Sequence, residues 1–226
     1  MKSFKYLLCL AMAVTLFGQS IAETNISKKP DIEDLGNQQY RIGKIHIDKK
    51  NKKFTLSGKV IRHDPPLEFL AVTKGGMKAY ESLLELDSNA HEFNLACILI
   101  GLDAKNAKPS EVHFDANPVT GDTVKMTITW KTNGKSVTVN AEELLSVTGS
   151  GKTKNNWVYT GSLMSREGQY MAEMDGTLIG FVHDPSSVIE HQSGLGLGNY
   201  GEINVSKLVP PIDTVVELEV SRQDIH

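Results

Sequence analysis

Cysteine is nearly absent from this chain: of two, Cys9 lies in an apolar N-terminal run and only Cys97 lies beyond it. One thiol cannot close an intramolecular disulfide, and it cannot supply a cysteine-ligated zinc or iron–sulfur centre, which needs several. About 200 residues suffice for a core without such staples. Long apolar runs are also missing, since no stretch after the N-terminal one reaches the roughly 18 to 20 residues a spanning helix requires. A basic surplus is missing too. The formal net charge is −3, and a nucleic-acid partner would demand a basic face for its phosphates. Sets of catalytic residues are equally scarce: there is no Gly-x-Ser-x-Gly elbow, and nothing in the chain fixes a substrate.

At the N-terminus, Lys2 and Lys5 precede an apolar run over 6–17, and Ser20-Ile21-Ala22 supplies a small-x-small cleavage pattern. Residues 1–22 read as a secretory signal peptide, so the expected location is periplasmic or secreted. Its removal takes two lysines and no acid, which moves the net charge from −3 to −5. Residues 23–40 are polar and show no periodicity, which predicts a flexible N-terminal arm. Residues 41–221 read as a single globular domain with no dividing linker.

Alternation dominates that domain. Ile45 and Ile47 face Phe54 and Leu56 across a lysine-rich turn, and residues 67–72 and 78–86 read as two further strands. Val124, Met126, Ile128 and Trp130 share one face of a strand, and Asn133-Gly134 turns it into a hairpin because both positions tolerate positive φ. Asp175-Gly176 predicts a second hairpin, pairing Tyr170 with Phe181 and Ala172 with Ile179. Residues 215–220 close the series. Between strands, residues 90–100 are apolar on every side, opened by an Asn89/Glu92 capping box and closed by Gly101, which predicts a helix lying inside the core. Minor helices are expected near 141–145 and 185–191. The fold class that follows is α+β: a mainly antiparallel β single domain with one buried helix.

Several motif-like strings fail on context. In Gly149-Ser150-Gly151-Lys152-Thr153 the glycine that a phosphate-binding loop needs five places earlier is Ser146, and a strand follows instead of a helix. Gly196-Leu197-Gly198-Asn199-Tyr200-Gly201 fits a dinucleotide fingerprint by letter, without the preceding strand or following helix. His91-Glu92 starts a zinc-protease pattern, but Leu95 stands where the second histidine belongs. What remains is a set of turns placing imidazole beside carboxylate: His63-Asp64, His113-Phe114-Asp115 and His183-Asp184. Imidazole plus carboxylate is a ligand set for zinc or another divalent ion. The metal candidates are His183, Asp184 and His191 with a carboxylate such as Glu81, and Glu190 joins them if Pro185 starts a helix.

Leu67-Glu68-Phe69-Leu70 and the run Gly75-Gly76-Met77-Lys78-Ala79-Tyr80-Glu81-Ser82-Leu83-Leu84, with the helix ending Ile98-Leu99-Ile100-Gly101-Leu102, resemble the YdjY-domain family of exported bacterial proteins. So do Trp157-Val158-Tyr159-Thr160-Gly161-Ser162 and Ala172-Glu173-Met174-Asp175-Gly176. The likeness runs from about Ile42 to Val220. It implies no accepted activity. Many members carry histidines where this chain has Tyr80 and Asn94, and some carry an iron–sulfur-type label that Cys97 alone cannot support. Glu81, Trp157, Ser162 and Asp175 match the family pattern.

Two functions stay open on these residues. One is a non-enzymatic accessory domain at the cell envelope, with no cofactor, whose binding residues Glu68, Lys78, Glu81, Trp157, Ser162 and Asp175 meet an envelope protein or a small ligand. The other is a divalent-metal protein, with zinc as the example, of hydrolytic character.

Overall fold

The computed structural model describes residues 30–147, 156–195 and 203–223. The expected signal peptide and the glycine-rich strings at 149–153 and 196–201 lie outside them. In chain order the elements are β1 (Ile32–Gly36), β2 (Gln39–Ile42), β3 (Ile45–Asp48), β4 (Lys53–Val60), β5 (Phe69–Thr73), a 3-10 turn (Met77–Glu81), β6 (Ser82–Leu86) and α1 (Ala90–Leu99). A short 3-10 turn (Ala104–Asn106) is followed by β7 (Asp122–Thr132), β8 (Lys135–Asn140), another 3-10 turn (Ala141–Leu144), β9 (Leu145–Val147) and β10 (Trp157–Tyr159). The series ends with α2 (Met171–Asp175), β11 (Thr177–Gly180), β12 (Ile189–His191), β13 (Ile203–Val205) and β14 (Val215–Arg222).

Eight of these strands form a ring in the order β4, β14, β7, β10, β12, β11, β5, β6, and β6 pairs back onto β4. The result is a closed barrel, which overturns the expected α+β class: helices make up only about 15 % of the described residues. The ring is not uniformly antiparallel either, because β5 pairs β6 and β11 pairs β12 in parallel. The reason lies in the alternation itself. Along β4, β7 and β14, buried and accessible residues alternate, so the sheet has one apolar face to hide. A single ten-residue helix cannot cover such a sheet, whereas closure hides the inner face and removes the free edges. Gly58 permits the seam: a Cβ there would lie 2.4 Å from the Glu85 carbonyl oxygen and 2.6 Å from Leu86 Cδ2.

α1 keeps its expected limits but not its expected depth. Asn89 accepts from the Glu92 amide at 2.8 Å, and Gly101, with φ +92, ends the helix while Leu102 N–H returns to the Cys97 carbonyl at 3.1 Å, a Schellman closure. Ala90, Phe93, Ala96 and Cys97 are buried, and Phe93 meets Phe54 edge-on at 5.4 Å. The opposite side is open, with Ile98 49 % exposed. α1 therefore packs on β3, α2 and β11 and is not enclosed by them. A sequence apolar on all sides carries no information about which side faces the core.

Two local readings also change. Asp175-Gly176 is no hairpin: residues 171–175 form α2, and Gly176 at φ +75 is its left-handed cap. Glycine with positive φ serves a helix end as readily as a tight turn, and Met-Ala-Glu-Met favours helix. Residues 185–191 form a turn leading into β12 in place of a helix. Part of the segment expected as a loose arm, Ile32–Gly36, forms a hairpin with β2, although all five residues are exposed. The Asn133-Gly134 hairpin between β7 and β8 stands as read, with both residues at positive φ.

Candidate functional site

The start of β5 is where the barrel brings charge together. Glu68 is fixed by its backbone: its N–H donates to the Glu81 carbonyl at 2.9 Å, and its carbonyl accepts from Phe181 N–H at 2.8 Å. This joins the 3-10 turn to the segment following β11. The Glu68 side chain, 4 % exposed, has Oε2 3.0 Å from His113 Nε2; the pair is ionic in separation though not aligned as a hydrogen bond. The other imidazole nitrogen, Nδ1, lies 3.7 Å from Asp184 Oδ2. One half-exposed imidazole thus stands between two buried carboxylates. The contact with Glu68 raises the His113 pKa above the ordinary imidazole value; burial opposes this and Asp184 reinforces it.

Beside it, Lys78 Nζ donates to Glu81 Oε1 at 2.8 Å. Burial is the largest single influence on Lys78 and pulls its pKa down, but the hydrogen bond and charge of Glu81, with Glu68 adding, together hold it above the usual lysine value. The ammonium also lies 5.8 Å from the Phe69 ring centroid and 5.9 Å from that of Tyr80, within cation–π range.

A second layer lies behind the imidazole. Asp184 Oδ1 accepts from the Ser186 amide at 2.8 Å and from the Ser186 hydroxyl, bending the chain as an Asp–Pro turn does. The Asp184 amide donates to Glu190 Oε2 at 3.1 Å, and Ser110 Oγ donates to the same oxygen at 3.0 Å. Glu190 is fully buried and its Oε1 has no partner among the described residues. Burial pushes its pKa up to about 7. Two hydroxyls pin this turn to the end of β10: Thr160 Oγ1 donates to the Ser187 carbonyl at 3.2 Å and Ser162 Oγ to the Pro185 carbonyl at 3.2 Å.

Of the binding candidates, Glu68, Lys78 and Glu81 come together. Trp157 does not join them. It is a core residue of β10, packed edge-on to His191 at 5.3 Å and 6.2 Å from Phe181. Ser162 reaches the cluster only through Pro185, and also accepts from Ala172 N–H at 3.2 Å. Asp175 ends α2, next to a glycine whose carbonyl accepts from Thr73 N–H at 2.8 Å. Ser162 thus links two stretches of backbone.

The metal candidates separate in the same way. His183 is buried with both ring nitrogens turned to carbonyl oxygens, Nδ1 to Asp115 at 2.6 Å and Nε2 to His191 and Gln192 at 3.1 and 3.2 Å. Both nitrogens thus face backbone oxygens, and neither is turned towards a carboxylate. His191 follows Glu190 on a strand, so the two side chains point to opposite faces, His191 toward Trp157. Among the described residues no three histidine, cysteine or acidic groups are placed to hold a metal ion.

His113 is the residue that composition and motif analysis undervalues. It stands out in sequence only as one of three imidazole–carboxylate turns, whereas in the fold it connects Glu68 to Asp184. Phe114 stacks on the imidazole at 4.1 Å; Val112 (59 %) on the same turn, and Tyr80 (59 %) and Met77 (67 %) on the 3-10 turn that carries Lys78, are exposed. Met77 also lines a cavity of about 600 Å³ with Gly43, Lys44, Glu92 and Met174. No helix among the described residues is long and apolar enough to cross a membrane. Neither the curated proteins nor the solved structures offer a match. The YdjY domain model matches residues 45–217, a span that holds the whole barrel apart from the last residues of β14 and every residue of the charged cluster, and the chain belongs to the YdjY-domain family.

Proposed function

We propose that this is an exported, non-enzymatic accessory domain that docks a protein partner at the bacterial cell envelope, periplasmic or secreted, through the rim formed by Tyr80, Lys78, Glu81, Glu68, His113 and Phe114. One observation carries the reading. A chain of contacts runs from exposed Tyr80 through Lys78 to Glu81, across the backbone hydrogen bond from Glu68 N–H to the Glu81 carbonyl, and out again from Glu68 through His113 to exposed Phe114. Aromatic side chains at either end of a buried ionic centre have the anatomy of a protein interface, where such residues are enriched and carry most of the binding energy. The imidazole and the ammonium of the cluster are each matched by a carboxylate of the same chain.

The test is co-purification from an envelope fraction with wild-type protein and with a Tyr80→Asp/Phe114→Asp variant of unchanged thermal stability. The reading expects a defined partner recovered with wild type and at least tenfold less with the variant. Equal recovery, or turnover of an envelope substrate in the absence of any partner, overturns it.

A further inference from the structure

Between the β2–β3 turn, the loop after β5, the start of α1 and the end of α2 lies the cavity of about 600 Å³ that Met77 borders, a volume in the range of small-ligand sites. Much of its lining is bare backbone, from Gly43, Gly75, Gly76 and Gly176. Five charged side chains also line it, and three of them are engaged within the chain. Lys44 Nζ lies 3.2 Å from Asp87 Oδ2, and Glu173 Oε2 accepts from the Ala90 amide, at the N-terminus of α1, at 3.0 Å. Lys74 and Glu92 remain. Neither side chain meets a hydrogen-bond or ion-pair partner among the described residues.

Glu92 is placed for more than helix capping. Of the expected capping box only half forms: Asn89 Oδ1 accepts from the Glu92 amide at 2.8 Å, while the Glu92 carboxylate does not return to the Asn89 amide. It lies against Gly43 instead, where a Cβ would stand 2.7 and 2.9 Å from its two oxygens. Gly43, at φ +53, thus leaves room for the carboxylate as well as meeting its own backbone requirement. A half-buried carboxylate with no donor from its own chain is matched by an ammonium, and an exposed lysine with no acceptor by a carboxylate. Met77 and Met174 border the same space, both exposed, and thioether side chains adapt to apolar groups of varied shape. The geometry points to a binding site for a small zwitterion, a free amino acid or a short peptide, whose ammonium pairs with Glu92, whose carboxylate pairs with Lys74 and whose side chain lies on the two methionines.

No residue of the proposed docking rim lines this cavity, so the two proposals stand or fall separately. Isothermal titration calorimetry of the full protein tests the site with two probe sets, methionine and the tripeptide Ala-Met-Ala, each with free termini, N-acetylated or C-amidated. At least one set is expected to bind, with a Kd of about 1 mM or below for the unblocked form and an affinity about tenfold weaker for either blocked form; the set that binds tells amino acid from peptide. Glu92→Gln is expected to bind unblocked and acetylated forms equally, and Lys74→Met to bind unblocked and amidated forms equally, both with an unchanged melting temperature. Absence of binding from both sets, affinities indifferent to the blocking groups, or variants that discriminate as wild type does would each overturn the site while leaving co-purification unaffected.

Discussion

Closure of the barrel rests on one seam, and Gly58→Val tests it. Three residue pairs join β4 to β6, Gly58 with Leu86, Lys59 with Glu85 and Val60 with Leu84, and a Cβ at position 58 would lie 2.4 Å from the Glu85 carbonyl oxygen. That oxygen belongs to backbone and cannot rotate aside, so the strands must part. Forcing volume into a packed contact costs roughly 1 to 3 kcal/mol, and each ladder hydrogen bond lost adds about 1 kcal/mol. A destabilisation of about 3 to 4 kcal/mol follows, read as a shift in the urea midpoint at constant slope. Gly134→Ala is the control. That residue has φ +73 and open space around its Cβ position, so only the left-handed backbone penalty of roughly 1 to 2 kcal/mol applies. If the two variants lose equal stability, the seam is not closed as described.

Three more outcomes follow from the same contacts. Lys78→Met leaves Glu81, 3 % exposed, without its cation; a loss of about 2 to 3 kcal/mol is expected in urea unfolding, below the full buried-pair value because Lys78 keeps some solvent contact. A Lys78→Met/Glu81→Gln double variant should recover most of it. Trp157→Ala, in the core of β10, should cost roughly 3 to 5 kcal/mol while partner recovery by the folded fraction stays at wild-type level, separating scaffold from surface. Cys97, whose thiol burial pushes well above the ordinary range, should remain unmodified by a thiol reagent in native buffer and react fully in denaturant.

Much of the fold was legible in the sequence wherever one face of an element meets water. The strands around Val124, Met126, Ile128 and Trp130, and the Asn133-Gly134 turn, show their period and their backbone requirement directly. Closure was not legible, because alternation states that a sheet has one buried face and is silent on what buries it. Nor was the environment of α1, whose apolar residues face both Phe54 and solvent. The site was half visible. Glu68, Lys78 and Glu81 are near one another in sequence and meet in space, but His113 arrives from the loop before β7, and Asp184 and Glu190 from the segment that follows β11 and from β12. His183, the most metal-like residue by its neighbours, instead directs its nitrogens at backbone carbonyls.

The rim itself is tested most directly by placing a photo-crosslinking residue at Tyr80, at Phe114 and at Val215, which is 70 % exposed on β14, in cells expressing the full chain. The docking account predicts one adduct of the same mass from positions 80 and 114 and none from 215. An adduct formed equally from all three positions, or from 215 alone, contradicts it.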